Sequence, residues 1–249
     1  MRGNDKKILR KFFRRLNLFL SNIMKSADYF LEYYRKTRFI FLFFFLLLSI
    51  GLIPLLSKWG FGYASEIIQV LLTLTLITSL ITIVGHRLLY VLFVMLFLVV
   101  IFKLLYFLLH CNVMLPTSEG FQVVFCLIAA VLILRYVMQV KTVNNDVVFA
   151  ALSVYVLFGL IFGFIYFIVE GAWPGSLVHN GAGASLEGGI RLSQSIYFSF
   201  VTLATLGYGD IIPASDVIRS MAIIETMCGQ VFLVVLVARL VTLYGGSSK

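Results

Sequence analysis

Charged side chains are scarce in this chain: they make up 12% of 249 residues, against 61% hydrophobic. So apolar a composition excludes an ordinary soluble domain, which could not hide that much hydrocarbon from water, and it places the bulk of the chain in lipid. The three histidines are scattered, which leaves an enzyme reading no acid–base or metal constellation to stand on. No phosphate loop or nucleotide site is present, so no cofactor is expected. The three cysteines, Cys111, Cys126 and Cys228, share no paired spacing, which sets aside a disulfide framework and a thiolate metal site in favour of small packing residues. A secretory leader is not expected either, because the first apolar run starts late and lacks a small-residue cleavage site.

The apolar content is organised. Segments 39–56, 64–84, 88–109, 121–140 and 147–169 can each cross a bilayer, and a sixth runs over 217–243; a span needs about 20 residues. Between the last two lies a shorter stretch, 193–204, that is too short to cross at about 1.5 Å rise per residue. It is expected to enter the membrane and return, which requires protein or water over its bare backbone. The fold class is therefore an all-α membrane protein with six transmembrane helices and a re-entrant helix. Three regions follow: a basic amphipathic segment at 1–38, a four-helix region at 39–143 and a second unit at 144–249. Asn145 or Asp146 is the expected helix cap at the boundary.

The basic residues set the orientation. Net charge is +9, and eleven of the twenty Lys and Arg lie in residues 1–38. Basic flanks stay in the cytoplasm, which puts both termini inside, Arg87 and Lys141 in inner turns and the long stretch 170–192 outside. Within 8–20, Ile8, Leu9, Phe12, Phe13 and Leu16 can share one helical face, with Arg10, Lys11, Arg14 and Arg15 opposite. That pattern suits a helix lying on an anionic inner surface; nucleic acid is not the expected partner. Thr75, Ser79, Thr82 and His86 form a polar seam in the second span, of the kind that joins helices in lipid. Lys103 has no obvious acidic partner.

Residues 193–213 read SQSIYFSFVTLATLGYGDIIP: a short helix with Ser193 as its expected cap, then Thr205-Leu206-Gly207-Tyr208-Gly209-Asp210, then a proline. Gly207 and Gly209 give the backbone conformations closed to other residues, as is needed to aim successive carbonyls at one axis, where rings of such oxygens can replace the water of a K⁺ ion. This run resembles the pore of the tetrameric potassium channel superfamily, over about 147–243. The resemblance implies a homotetramer that conducts K⁺ passively in the cell membrane, with ion sites at Thr205, Leu206, Gly207, Tyr208 and Gly209 and with Asp210 concentrating cations at the outer mouth. Tyr197 and Phe198 fall where the family places aromatics around the filter. Val201 stands where many relatives carry a glutamate.

Gly229 matches the position of the family's hinge glycine, and close packing is the alternative use. Thr226, Gln230, Leu233 and Val237 share a face expected to line the inner cavity and gate, and Arg239 is expected to reach inner headgroups. Gly159 and Gly163 let a neighbouring helix approach, either the last span or the short helix. Glu225, a carboxylate inside a span, is expected to brace the short helix or a neighbouring subunit, or else to sense protons. Four spans ahead of the pore resemble voltage-gated channels, but the fourth carries Arg135 alone. Steep gating uses about three to four charges per subunit, so weak or absent voltage dependence is expected, with Arg135 anchoring the inner end. A transporter, a regulatory subunit and a poorly selective cation channel are the rival readings.

Overall fold

The computed structural model describes residues 37–52, 86–109, 114–140, 144–180 and 190–246, with Thr73 and Ile77. The basic arm, most of the second span, the Lys103 side chain and residues 181–189 of the outer stretch lie outside the described residues. The chain divides into two compact units, Met1–Arg38 and Phe39–Lys249, and the helical bundle belongs to the second.

Six helices and two short strands are described: α1 (Thr37–Leu52), α2 (His86–Leu109), α3 (Met114–Gln139), α4 (Asn145–Ala172), β1 (Leu177–His179), α5 (Leu192–Leu203), β2 (Ile211–Pro213) and α6 (Asp216–Gly246). Among the described residues, three helical segments are long and apolar enough to cross a membrane: Ser118–Gln139, Asn145–Ala172 and Asp216–Thr242. The molecule is thus a mostly helical membrane protein.

Helix α4 is the hub. Its buried residues Val147, Ala150, Val154, Leu157 and Leu160 recur at helical spacing and join a core with Phe39, Leu42 and Leu46 of α1 and Phe125, Ala129 and Ile133 of α3. Aromatic rings fill the joins: Phe39 lies 5.4 Å from Tyr136, and Phe43 lies 5.5 Å from Phe149. Helix α2 meets α3 through Phe102 stacked on Phe121 at 5.3 Å. Inside the bundle a polar pair survives burial because it is satisfied: the Thr73 hydroxyl donates to Gln122 Oε1 at 3.1 Å.

The start of α4 is set one residue earlier than the sequence suggests. Asn144 is the N-cap, and its side chain accepts from the Val147 N–H at 2.9 Å. Asp146, the alternative candidate, spends its carboxylate on the Phe39 N–H at 2.9 Å. A partner 107 residues away is invisible to local pattern. At the first turn of α6 the Ser215 hydroxyl accepts from the Ile218 N–H at 3.3 Å.

The two glycines of α4 face α5. A Cβ placed on Gly163 would lie 2.9 Å from the Ile196 Cα, and one on Gly159 would meet the Phe200 ring at 2.5 Å. Close backbone approach is how helices gain packing energy in lipid, where burial from water no longer drives them together. Gly163→Ala should therefore lower stability by about 1–3 kcal/mol through overpacking. Gly171→Ala, with nothing within 4 Å of its new methyl, should be neutral or stabilising by up to about 1 kcal/mol. Thermal unfolding in detergent compares the two, and equal midpoints would remove the claim of close packing.

Candidate ion-conducting site

Helix α5 is short because its end is closed tightly. Ala204 N–H bonds back to the Phe200 carbonyl at 3.0 Å, Thr205 N–H to Thr202 at 3.0 Å and Leu206 N–H to Val201 at 2.9 Å. These bonds satisfy carbonyls left over at the helix terminus and turn the chain into the segment 205–209. There the backbone alternates in hand. Thr205, Gly207 and Gly209 have φ of 58°, 59° and 73°, while Leu206 and Tyr208 are not among the positive-φ residues. Alternation of this kind turns successive carbonyls toward one side of the strand. Gly207 and Gly209 adopt it freely. Thr205 does so as a β-branched residue, an outlier of the kind that collects at functional sites. The segment from Ala204 to Tyr208 is exposed in the single chain.

The outer end of this segment is pinned. β2 pairs antiparallel with β1, in the register Leu177↔Pro213 and His179↔Ile211. Asn180 N–H donates to the Asp210 carbonyl at 2.9 Å, and Ala214 N–H to the Ser176 carbonyl at 2.8 Å. The turn that delivers β1 is organised by Glu170, a buried carboxylate that accepts from the Gly175 and Leu177 N–H groups at 2.8 and 2.9 Å. Sequence reading names no strand in the outer stretch 170–192 and misses β1.

Behind the segment, three helices meet at Glu225. Its side chain is fully buried. One oxygen accepts the Tyr166 hydroxyl at 2.6 Å, and the other contacts the Ser199 hydroxyl, which also reaches the Gly159 carbonyl at 2.7 Å. Tyr166 in turn sets its ring against the edge of Phe198 at 5.1 Å. Val201, where a family glutamate would stand, is buried; the carboxylate behind the filter-like segment comes from α6 instead. Sequence reading names Glu225 but neither partner. The signal for Tyr166 is its spacing, since Gly159, Gly163 and Tyr166 fall on one face of α4. Tyr155 adds a bond from α4 to the Leu203 carbonyl at 3.3 Å.

Gly229 lies against the end of α5. A Cβ there would stand 2.7 Å from Leu203 Cδ1 and 3.1 Å from the Leu203 carbonyl oxygen, so close packing accounts for this glycine. Thr226 is half-buried, its hydroxyl on the Ala222 carbonyl at 2.9 Å and within 3.4 Å of the Thr202 carbonyl. Leu233 is half-buried, whereas Gln230 and Val237 are exposed. Asp210 and Arg135 are exposed as well. Tyr208, also exposed, stacks on Tyr197 with centroids 6.5 Å apart.

Arg239 departs from expectation. Its guanidinium donates to the Val137, Met138 and Val140 carbonyls, at 3.4 and 3.1 Å for the first and last. The C-terminal carbonyls of α3 are orphans at the negative end of a helix dipole, and a planar fork of donors suits them. The side chain therefore ties the inner end of α6 to α3 rather than reaching for headgroups. Among the described residues, no His, Cys, Asp and Glu come together as a metal cluster.

Residues 152–245 match the model of a protein family described as ion channel. The match begins in α4, takes in α5 and the segment after it, and ends in α6. It covers less than half of the chain and supports an ion channel, pointing to a channel rather than an enzyme. No curated protein and no solved structure matches the chain.

Proposed function

We propose that the chain is one subunit of a potassium-selective channel, four copies of which surround a central axis and pass K⁺ passively through the cell membrane. The observation that carries this reading is the alternation of hand at Thr205, Gly207 and Gly209, in a segment that follows a short helix and is left uncovered in the single chain. Carbonyls aligned on one side can replace the hydration of K⁺ only if other copies close the ring. In this reading α5 is the pore helix, with its negative C-terminal end toward the cavity. α4 and α6 are the outer and inner helices, and Asp210 holds cations at the mouth. Thr226, Gln230, Leu233 and Val237 line the inner path. K⁺ occupies sites at Thr205, Leu206, Gly207, Tyr208 and Gly209.

The same reading gives the chain six crossings with both ends inside, and sets its basic arm on anionic lipid. Voltage plays little part. Moving one charge through the full field is worth about 2.3 kcal/mol per 100 mV, and Arg135 is the one basic residue in the fourth expected span.

Reconstitution in liposomes tests the proposal through K⁺ and Na⁺ flux under an imposed voltage. K⁺ flux far above Na⁺ flux, with shallow voltage dependence, is expected. Equal passage of the two ions would make it a poorly selective cation channel. Silence of the pure protein with activity in a mixture would make it a regulatory subunit, and uphill movement of K⁺ would make it a transporter. A monomer in mild detergent would end the fourfold reading.

A further inference from the structure

His179 and Gln194 meet beside the outer end of the filter-like segment, and the hydrogen bonds around them order donor and acceptor. Gln194 Oε1 accepts the Arg191 N–H at 2.8 Å. That bond serves the first residue of the α5 cap and settles which way the amide faces. Its NH₂ group is left toward the imidazole, with Gln194 Nε2 at 3.2 Å from His179 Nε2. An amide nitrogen can only donate, so His179 Nε2 accepts. The ring in this arrangement is neutral, with its proton on Nδ1. Histidine is the side chain type that gains and loses charge near neutral pH. A second proton on this ring would set N–H against NH₂. The ring must then withdraw, or the amide must turn over and strip the Arg191 N–H of its acceptor at a helix start.

Either response reaches the pore mouth. His179 is the last residue of β1 and pairs with Ile211, and the next N–H, that of Asn180, holds the Asp210 carbonyl. We propose that His179 is a proton-binding site on the outer face, through which external acid loosens the anchor of the filter exit and lowers K⁺ conduction. The proposal rests on the potassium-pore reading above. Among the described residues, the charged groups on the elements around it are Asp210 before β2, Arg191 at the start of α5, Glu170 beneath the β1 turn and the exposed Asp216–Arg219 pair on α6. Glu170 is occupied by two backbone N–H groups, which leaves Asp210 as the carboxylate at the mouth. A positive ring near it lowers the local K⁺ concentration, which acts in the same direction as the loosened strand.

The test is K⁺ flux through the reconstituted full chain, with internal pH held constant and external pH stepped from about 8 to about 5.5, the range over which histidine titrates. Wild-type flux should fall, His179→Gln should flatten the response, and the same step applied internally should leave the flux unchanged. Gln194→Glu keeps an acceptor for Arg191 and offers a carboxylate to the charged ring, so its midpoint should move to higher pH by about 1 unit or more. A wild-type flux indifferent to external pH, or a His179→Gln channel that keeps the response, overturns the proposal. Absence of K⁺ flux at every pH would count against the pore reading instead. The ring's own titration, followed by NMR and assigned by its loss in His179→Gln, then decides. A midpoint that Gln194→Glu fails to raise rejects the site.

Discussion

Glu225→Ala should destabilise the protein by about 2–4 kcal/mol and abolish most of its ion flux. The Tyr166 hydroxyl is buried and donates to Glu225, so truncation leaves an unpaired polar group at about 1–3 kcal/mol, and the lost side-chain volume adds a cavity cost. Ser199 suffers less, because the Gly159 carbonyl remains within 2.7 Å. Glu225→Gln should behave differently. Its carbonyl oxygen can accept from Tyr166 while its NH₂ donates to Ser199, and Ser199 then donates to Gly159. Every contact is served by a proton, so a loss below about 1 kcal/mol is expected. Unfolding midpoints in detergent, read beside flux, decide the matter. A harmless Glu225→Ala would remove the brace between α4, α5 and α6. A Glu225→Gln as damaging as Glu225→Ala would show that charge, not hydrogen bonding, holds the three helices.

Gly207→Ala is expected to spare the fold and remove conduction. No atom lies within 4 Å of a Cβ built on Gly207 in the single chain, so the cost is conformational rather than steric crowding. At φ of 59° an L-residue costs about 1–2 kcal/mol. In the proposed ring of four this becomes about 4–8 kcal/mol if every copy is to keep its carbonyl on the axis, and the relaxed alternative turns a carbonyl away. Flux should fall at least tenfold, since about 1.4 kcal/mol already corresponds to a factor of ten, while the unfolding midpoint falls by no more than about 2–8 °C, the shift that about 1–2 kcal/mol gives a chain of this size. Unchanged K⁺ flux in Gly207→Ala would mean that the backbone hand at this position has no part in conduction.

Legibility in the sequence differs from residue to residue. Gly207 and Gly209 are legible because a positive φ leaves a mark in sequence. Thr205 shares the conformation without the mark, and nothing in its side chain announces it. Glu225 stands out as an acid in an apolar helix, yet its partners come from two other helices. Tyr166 can be found by its spacing from Gly159 and Gly163, whereas Ser199 reads like any polar residue of an amphiphilic helix. The caps lie one or two residues from where the sequence suggests. Asn144, not Asn145 or Asp146, opens α4, and Arg191, not Ser193, precedes α5. In the first case a tertiary bond claims Asp146. In the second the Gln194 side chain folds back on the Arg191 N–H and serves the helix start without a capping hydroxyl. β1 is hidden because a three-residue strand inside a glycine-rich stretch has no period of its own; β2 and Glu170 make it. Arg239 looks like a headgroup anchor because its helix ends there, and the free carbonyls of α3 lie in a different part of the sequence.

The bond between the Phe39 N–H and the Asp146 carboxylate carries a topological corollary. Two groups in direct contact occupy one depth and one side of any bilayer that holds them. Both groups stand at helix starts, so the path expected between residues 39 and 146 traverses the membrane an even number of times. Reporter tags placed just before α1 and just before α4 should answer from the same compartment, and signals from opposite compartments would be incompatible with that single hydrogen bond.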